Sequence, residues 1–461
     1  MKQIILFLND CVPKMVAVAI ILVVAILCLE WYRGWKDRQL KELKKGTRKK
    51  AHGIIFGKKG WKLVYSPEQT EGHVGVFSAS GTGKTASIGI PTLRAWKGTS
   101  YTIDISGDIC KNCPDMPNKL VYAPEKPDTT PYNIFAPIDD LDATEDKNEA
   151  LEQLAFLLMP EEPNMNDNAR FFLVNGRKIL TASLIAFYQS MDFIEIAEKI
   201  VESSWQELFR DIDNTGKIDA IRYINGFYGA NEANTAGCKQ SCDDALKLFA
   251  TNGKIKRSIR RPKKGEKSVE PKKIEHNNIF VVVGEDKLNL YAPLMNILTS
   301  QIMQYIGTRA VQKSSPAILL FLDEYGSLKL DKELILDAVR RFRKRRCRIM
   351  ALMQNTVDLN LLYGADATRA ILSNLKYKVL LGGLGEPESQ KYFASLIGYK
   401  DSTKHSTSSN AKQTTHTESE AKEWVIEPAD LDRQGKDTVI LIASDEPDGY
   451  MKLKKNYYFK R

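Results

Sequence analysis

Residues 75–88 read GVFSASGTGKTASI, and few folds can accommodate that stretch. The apolar run Val74–Phe77 suits a strand buried on both faces. Gly81 and Gly83 come next, and glycine lets a chain turn tightly and present successive backbone N–H groups to an anion. A helix opening at Lys84 would aim its positive end at the same point. Together these are the parts of a phosphate-binding loop, G-x-x-x-x-G-K-[ST]. Ser80, Gly81, Thr82 and Gly83 would cradle the phosphates, Lys84 would reach the β- and γ-phosphates, and the Thr85 hydroxyl would ligate Mg2+. Ser78 stands where the pattern has its first glycine; that position asks for a small residue at a turn, and serine is small. Strand, loop and helix in this order belong to a mostly parallel sheet with helices on both faces, so the predicted fold class is α/β.

The chain has 461 residues, enough for roughly two or three domains. Its hydrophobic share of 43% supplies a core of ordinary size, and a net charge of +10 points to a polyanionic partner or a membrane surface. Met15–Leu29 is an unbroken apolar run of 15 residues, preceded by Lys14 and followed by Trp31 and Tyr32. This pattern predicts a membrane-spanning helix over about 13–32, with the aromatic pair at the interface. A signal peptide fits less well, because the front end is weakly basic and no small-residue cleavage site follows. Nine basic residues against two acidic ones between Arg33 and Lys50 place the rest of the chain in the cytoplasm, attached to the cell membrane by a single pass. Seven cysteines are scattered along the chain, and in a cytosolic body they are reduced. Cys110 and Cys113, and Cys238 and Cys242, are spaced as zinc ligands could be, but the two pairs lie 125 residues apart and read as small buried thiols.

The texture of the chain divides it into an anchor (1–33), a basic linker (34–50), a first nucleotide-binding part (51–138), an all-α insert (139–275) and a second nucleotide-binding part (276–461). Buried strands are expected at 100–105, 278–283, 317–324, 348–354, 377–383 and 437–444, forming a parallel core. Pro91 should interrupt the helix after the loop about two turns in. The stretch 254–273, with ten Lys/Arg and two Glu, reads as a solvated loop; 401–422, where ten of 22 residues are Ser or Thr, reads as a mobile one.

A phosphate loop needs a metal partner and a group that activates water. AILLFLDEYGSL offers both: Asp323 at the tip of a buried strand to hold Mg2+, and Glu324 beside it as the general base. The next strand ends in Gln354, whose amide can orient water or contact the γ-phosphate. Each carboxylate or amide alone would be an ordinary strand end; their order after the loop at 81–85 gives them chemical meaning. RRFRKRRCR, 340–348, holds seven basic residues in nine and reads as a solvated face, a phosphate-contacting surface, or the source of an arginine for a neighbouring subunit. No [NT]-K-x-D guanine-reading segment occurs, which disfavours a GTPase, and the Asp-Glu pair belongs to water-attacking motors rather than kinases.

This ordered set resembles the conjugative coupling proteins of type IV secretion, the TraG/TraD family. The resemblance rests on EGHVGVFSASGTGKT, TTPYNIFAPI, LLFLDEYGSL, ALMQNTVDLNLLYG and EWVIEPADL, and it extends over nearly the whole chain. It implies a RecA-like P-loop ATPase domain with an all-α insert and a hexameric ring on the inner face of the membrane. It also implies ATP and Mg2+ as cofactors. The partners would be single-stranded DNA bound without regard to sequence, a relaxase or other secretion substrate, and the components of the secretion channel. By motif it gives Lys84 and Thr85 to phosphate and Mg2+, Asp323 to Mg2+, Glu324 to water and Gln354 to the γ-phosphate. Arg343 becomes the trans-acting arginine, with Arg341 and Arg345 as its competitors. The chain departs from the family where Ser106 replaces a lysine and Asp108 a glutamate. A DNA translocase outside conjugation, or a membrane receptor switched by nucleotide without motor activity, are the other readings of the same residues.

Overall fold

The computed structural model describes residues 21–29, 31, 43–161, 165–328, 330–410, 413–444 and 446–460. The first strands are β1 (Lys44–Gly46), β2 (Ile54–Lys59), β3 (Lys62–Ser66), β4 (Val74–Phe77), β5 (Thr99–Asp104) and β6 (Lys119–Tyr122). After a long helical stretch come β7 (Asn278–Val282), β8 (Ile318–Leu322), β9 (Cys347–Met353) and β10 (Tyr377–Leu380). β11 (Tyr399–Asn410), β12 (Gln413–Trp424), β13 (Thr438–Ala443) and β14 (Tyr450–Lys454) complete the set. Twelve of these form one sheet in the order β1-β3-β2-β14-β13-β10-β4-β9-β8-β5-β7-β6.

The seven strands from β10 to β6 are mutually parallel. Buried on both faces, they are built of continuous apolar runs, as the hydrophobic pattern requires. In β8 the side chains alternate: Ile318, Leu320 and Leu322 enter the core on one face, Leu319 and Phe321 the core on the other, and all five are fully buried. Each such burial stabilises the sheet by roughly 2 kcal/mol. Because the strands run the same way, the ends of β4, β8, β9 and β10 open on one edge, and the sequence motifs meet there.

The expected parallel core needs one correction. The strand at 437–444 is β13, antiparallel to both β10 and β14, so the sheet is mixed, with an antiparallel flank from β13 to β1. An apolar run carries no direction, so the pattern could not tell a parallel neighbour from an antiparallel one. Between β6 and β7 the regular elements are helices, the longest being Thr144–Leu158, Asp167–Phe187 and Glu232–Thr251. They pack chiefly on one another and, through Thr144–Leu158, on the helix Leu288–Thr308, and their apolar faces join the hydrophobic core on one side of the sheet.

Two expected loops are structured. In 254–273 a helix covers Gly253–Ser258 and a 3-10 turn begins at Pro271. Arg260 makes a bidentate pair with Glu266 at 2.6 Å, while Arg261 bonds Asp139 and lies over the Phe135 and Tyr188 rings. Planar guanidinium groups that fork onto carboxylates and stack on rings are fixed parts of the fold. Residues 401–410 and 413–422 belong to the β11–β12 ribbon, paired in continuous antiparallel register and closed at its base by the stacked rings of Tyr399 and Trp424, centroids 4.2 Å apart. The β-branched threonines of this stretch suit extended backbone, a preference that composition alone conceals. Half of the predicted membrane span over 13–32 lies outside the described residues. Residues 21–29 are helical and exposed, and among the described residues no helix is long and apolar enough to cross a membrane.

Candidate active site

The phosphate loop leaves β4 at Phe77 and is tied down before it turns. Ser78 N–H donates to Met353 O on β9, and Ala79 N–H to Gly383 O in the turn after β10. Ser78 does more than save space: its hydroxyl donates to Gly382 O at 2.8 Å and pairs with the Thr82 hydroxyl, which itself donates to Ala79 O at 2.8 Å. Gly81 and Gly83 have φ of +75° and +94°, values that favour glycine. Ser80 and Gly81 are exposed at the loop's outer rim, and Thr82, Gly83 and Thr85 are half-buried.

Beyond the loop the chain enters a widened, π-helical turn, Thr85–Gly89, then the helix Ile90–Ala95. Ile90 N–H reaches back to Thr85 O, and Pro91, which has no N–H to donate, falls in the first turn of the following helix, where none is needed. The expected interruption at Pro91 is therefore a widening rather than a break. Gly89 packs against Phe321 of β8 so closely that a Cβ there would lie 2.9 Å from the ring.

The Lys84 side chain is 5% exposed and curls into the loop, donating to Ser78 O at 2.7 Å and Ala79 O at 3.3 Å. Its ammonium is 3.8 Å from Glu324 Oε1. Burial lowers its pKa, and the neighbouring carboxylates of Glu324 and Asp323 oppose that shift. Asp323, at the tip of β8, is 5% exposed and its Oδ1 has no hydrogen-bond partner. Burial first, then the charges of Glu324 and Asp104, push its carboxyl up to about 7. Glu324 adopts a left-handed backbone, φ +45° and ψ +51°, which swings its side chain out of line with the strand. Such conformations in a non-glycine residue store strain and gather at functional sites.

β9 lies between β4 and β8, so Gln354, the residue after β9, sits between the phosphate loop and the acidic pair. Glu324, Gln354, Ser327 and Asp358 line one pocket of 350 Å³. The residues predicted for phosphate, metal and water thus converge on one edge. Arg343 does not join them: it lies in the turn Phe342–Arg345 at the opposite end of β9, its guanidinium 3.2 Å from Glu71 Oε2 and more than half exposed. A seven-residue strand separates it from Gln354 by roughly 20 Å, so it cannot serve the site of its own chain. The neighbouring Arg345 and Arg346 donate to Arg309 O and Lys313 O, and Arg341 pairs with Asp337.

Sequence reasoning missed several groups. Asp358, in the first turn of the helix Val357–Tyr363, lines the same pocket as Gln354, and burial raises its pKa. Asp104 at the tip of β5 accepts from Gly107 N–H and Cys110 N–H, so this carboxylate organises the turn that departs from the family pattern, with the Ser106 hydroxyl accepting from Asp108 N–H. Lys455, near the C-terminus, donates to Thr82 O at 2.8 Å. The basic-aromatic string KKNYYFK was the available signal. Cys110 and Cys113 lie in and just after the helix Asp108–Asn112 while Cys238 and Cys242 lie in Glu232–Thr251; among the described residues no group of three or more His, Cys, Asp or Glu is arranged to hold a metal.

An acceptor without a donor, buried at a strand tip, is the donor chemistry that a hard cation such as Mg2+ takes, with its remaining ligands from phosphate and water. Comparison with known proteins gives the family and the fold. The family model described as "Type IV secretory system Conjugative DNA transfer" matches residues 33–461. Protein VirD4 of Rhizobium rhizogenes is 23% identical over 446 residues, covering 88% of this chain; the match spans 62% of that relative's length. The unbound bacterial conjugative coupling protein TrwBdeltaN70 superposes with a TM-score of 0.68 at 16% identity, covering 93% of this chain and 91% of the other. TrwB in complex with ADP and Mg2+ superposes with a TM-score of 0.63 at 18% identity, covering 84% of this chain and 86% of the other.

Proposed function

The chain belongs to the type IV secretory system conjugative DNA transfer family, and from that membership we propose that it is a Mg2+-dependent ATPase that drives DNA into a secretion channel. The observation that carries the ATPase reading is the convergence of Lys84, Asp323, Glu324 and Gln354 at the tips of three neighbouring strands. The similar protein TrwB carries ADP and Mg2+, and the residues here are of the kinds such a ligand needs. ATP would lie with its phosphates along the loop. Thr85 and Asp323 would hold Mg2+, whose chemistry is to neutralise charge building on the β- and γ-oxygens.

The chain's own groups then have separate tasks. Lys84 exchanges its bonds to Ser78 O and Ala79 O for bonds to phosphate, a small movement for a side chain already buried there. Glu324 accepts the proton of the attacking water, and Gln354 orients that water by hydrogen bonding. Hydrolysis by one subunit needs a second positive charge beside Lys84, and the subunit's own Arg343 lies on the far edge. Arg343 supplies it to a neighbour's γ-phosphate in a hexameric ring, and that is why it sits exposed at the opposite end of β9.

The ring is anchored through residues 13–32 to the cell membrane with its body in the cytoplasm. It receives single-stranded DNA bound to a relaxase, gripping it by sequence-blind phosphate contacts, and passes it to the channel components. The test is turnover by the assembled chain with DNA present. Lys84→Ala should bind no ATP. Glu324→Gln should bind it yet hydrolyse at least about a hundredfold more slowly. Undiminished turnover by Lys84→Ala would remove the proposal, and a wild-type protein that binds ATP but never hydrolyses it would leave a nucleotide switch in its place.

A further inference from the structure

The C-terminal residues 455–460 lie across the start of the phosphate loop's helix, and several independent contacts fix them there. Lys455 Nζ donates to Thr82 O at 2.8 Å, and Tyr458 N–H donates to Ala86 O at 3.0 Å. Arg48, from the opposite end of the chain, clasps the segment through Asn456 Oδ1, Tyr457 O and Lys460 O at 3.3, 3.1 and 3.0 Å. The Tyr458 ring lies under the Arg94 guanidinium, 4.9 Å from its centroid. The Tyr457 ring covers Gly83 closely enough that a Cβ on that glycine would be 3.1 Å from it. Next to it stands the Phe459 ring, centroids 5.3 Å apart, with Phe459 60% exposed.

The direction of a triphosphate on this loop follows from the site. The γ end must point to Glu324, Gln354 and the Lys84 ammonium, because those groups act on it. The α-phosphate then falls on the backbone N–H groups at the first helical turn, Thr85 and Ala86, and the nucleoside must leave on that side. Tyr457–Phe459 is the segment tied to Ala86. We propose that it forms the shelf for the nucleobase, with Tyr457 stacking on the base; this rests on the ATP reading above. A ring face accepts any base, since every base has a π-face, so the shelf adds affinity for the nucleoside without choosing between adenine and guanine.

The test is calorimetric titration of the full chain with ATP, GTP and inorganic tripolyphosphate, each with Mg2+. Tyr457→Ala should weaken ATP and GTP alike by about tenfold and leave tripolyphosphate binding unchanged. Tyr457→Trp should keep ATP affinity, and its added fluorescence should be quenched by ATP but not by tripolyphosphate. Unchanged ATP affinity in Tyr457→Ala overturns the proposal. So does an equal loss for tripolyphosphate, which would make the tyrosine a brace for the loop. Should Tyr457→Ala not fold, the tryptophan signal decides alone. If the wild type binds neither ATP nor tripolyphosphate, the underlying nucleotide reading fails and the shelf falls with it; if it binds tripolyphosphate as tightly as ATP, only the shelf fails.

Discussion

At the N-terminal end of β9 the buried Arg348 guanidinium donates to Gly72 O at 2.9 Å and to Ser66 Oγ and Pro67 O at 3.1 Å, while one strand away, at the C-terminal tip of β8, the equally buried Asp323 carboxylate keeps one oxygen with no donor at all. Next to Arg348, His73 lies buried with its Nδ1 accepting from Ile349 N–H at 3.0 Å. Both edges carry charge or titratable groups inside the fold. On the N-terminal edge backbone carbonyls surround the cation, and the groups serve to lock β4, β9 and the chain before them together. On the C-terminal edge the anions crowd one another, and the Lys84 ammonium, 3.8 Å from Glu324, offsets them only in part, so the Asp323 carboxyl stays raised. Each edge leaves buried atoms unpaired, Arg348 Nη2 and His73 Nε2 on one and Asp323 Oδ1 on the other, so it is the crowding of like charges that marks the C-terminal edge as the candidate for chemistry.

Substitutions should separate the edges, beginning with the largest effect. Arg348→Met strips the donors from Gly72 O and Pro67 O and should cost about 4 kcal/mol of stability in urea titration, with ATP affinity of the folded fraction unchanged. A large loss of affinity there would show that the edges are coupled. Burial, aided by Arg348, holds His73 down at about 4, against 6.5 for a free imidazole. The unfolded chain therefore takes up this proton first as pH falls, so the contribution is complete above pH 6.5 and about 3 kcal/mol is lost on the way down to pH 4. His73→Asn, whose carbonyl oxygen can still accept from Ile349 N–H, should flatten that part of the stability–pH curve.

The opposite sign is expected at the site. The Asp323 carboxyl is raised from 3.8 to about 7 by burial and by Glu324 and Asp104, so the folded state holds this proton more tightly than the unfolded one. Its contribution is present at low pH and lost as pH rises through 7. In Mg2+-free buffer at pH 7.5, Asp323→Asn should thus raise the melting temperature, by about 2 kcal/mol of stability, while abolishing Mg2+-dependent turnover. A variant less stable than wild type would mean that the carboxylate is served after all. The smallest effect belongs to Arg343→Ala: its exposed pair with Glu71 is worth less than about 0.5 kcal/mol, so unfolding midpoints should not move even where turnover of the assembled protein falls.

Much of this was legible in the chain. The loop at 75–88 and the acid pair at 323–324 are local: their chemistry depends on neighbours in sequence, and a buried strand before each is written as an apolar run. Gln354 was found the same way, as a polar residue ending such a run. The basic stretch at 254–273 misled because charge density does not reveal partners: Glu266, Asp139 and Asp192 claim its arginines, two of them from more than 60 residues away. The ribbon at β11–β12 misled because serine and threonine counts describe solubility, whereas pairing depends on register.

Sequence alone determined a glycine-bearing strand-to-helix turn of the phosphate-loop pattern, with a carboxylate pair at another strand tip, because glycine conformations, helix ends and apolar runs act over a few residues. Tertiary structure alone decided that β9 lies between those two strands, that β13 turns against its neighbour, and that residues 455–460 return to cover the loop. Those outcomes depend on which distant edges and carbonyls satisfy each other's hydrogen bonds, and no short stretch of sequence contains both partners.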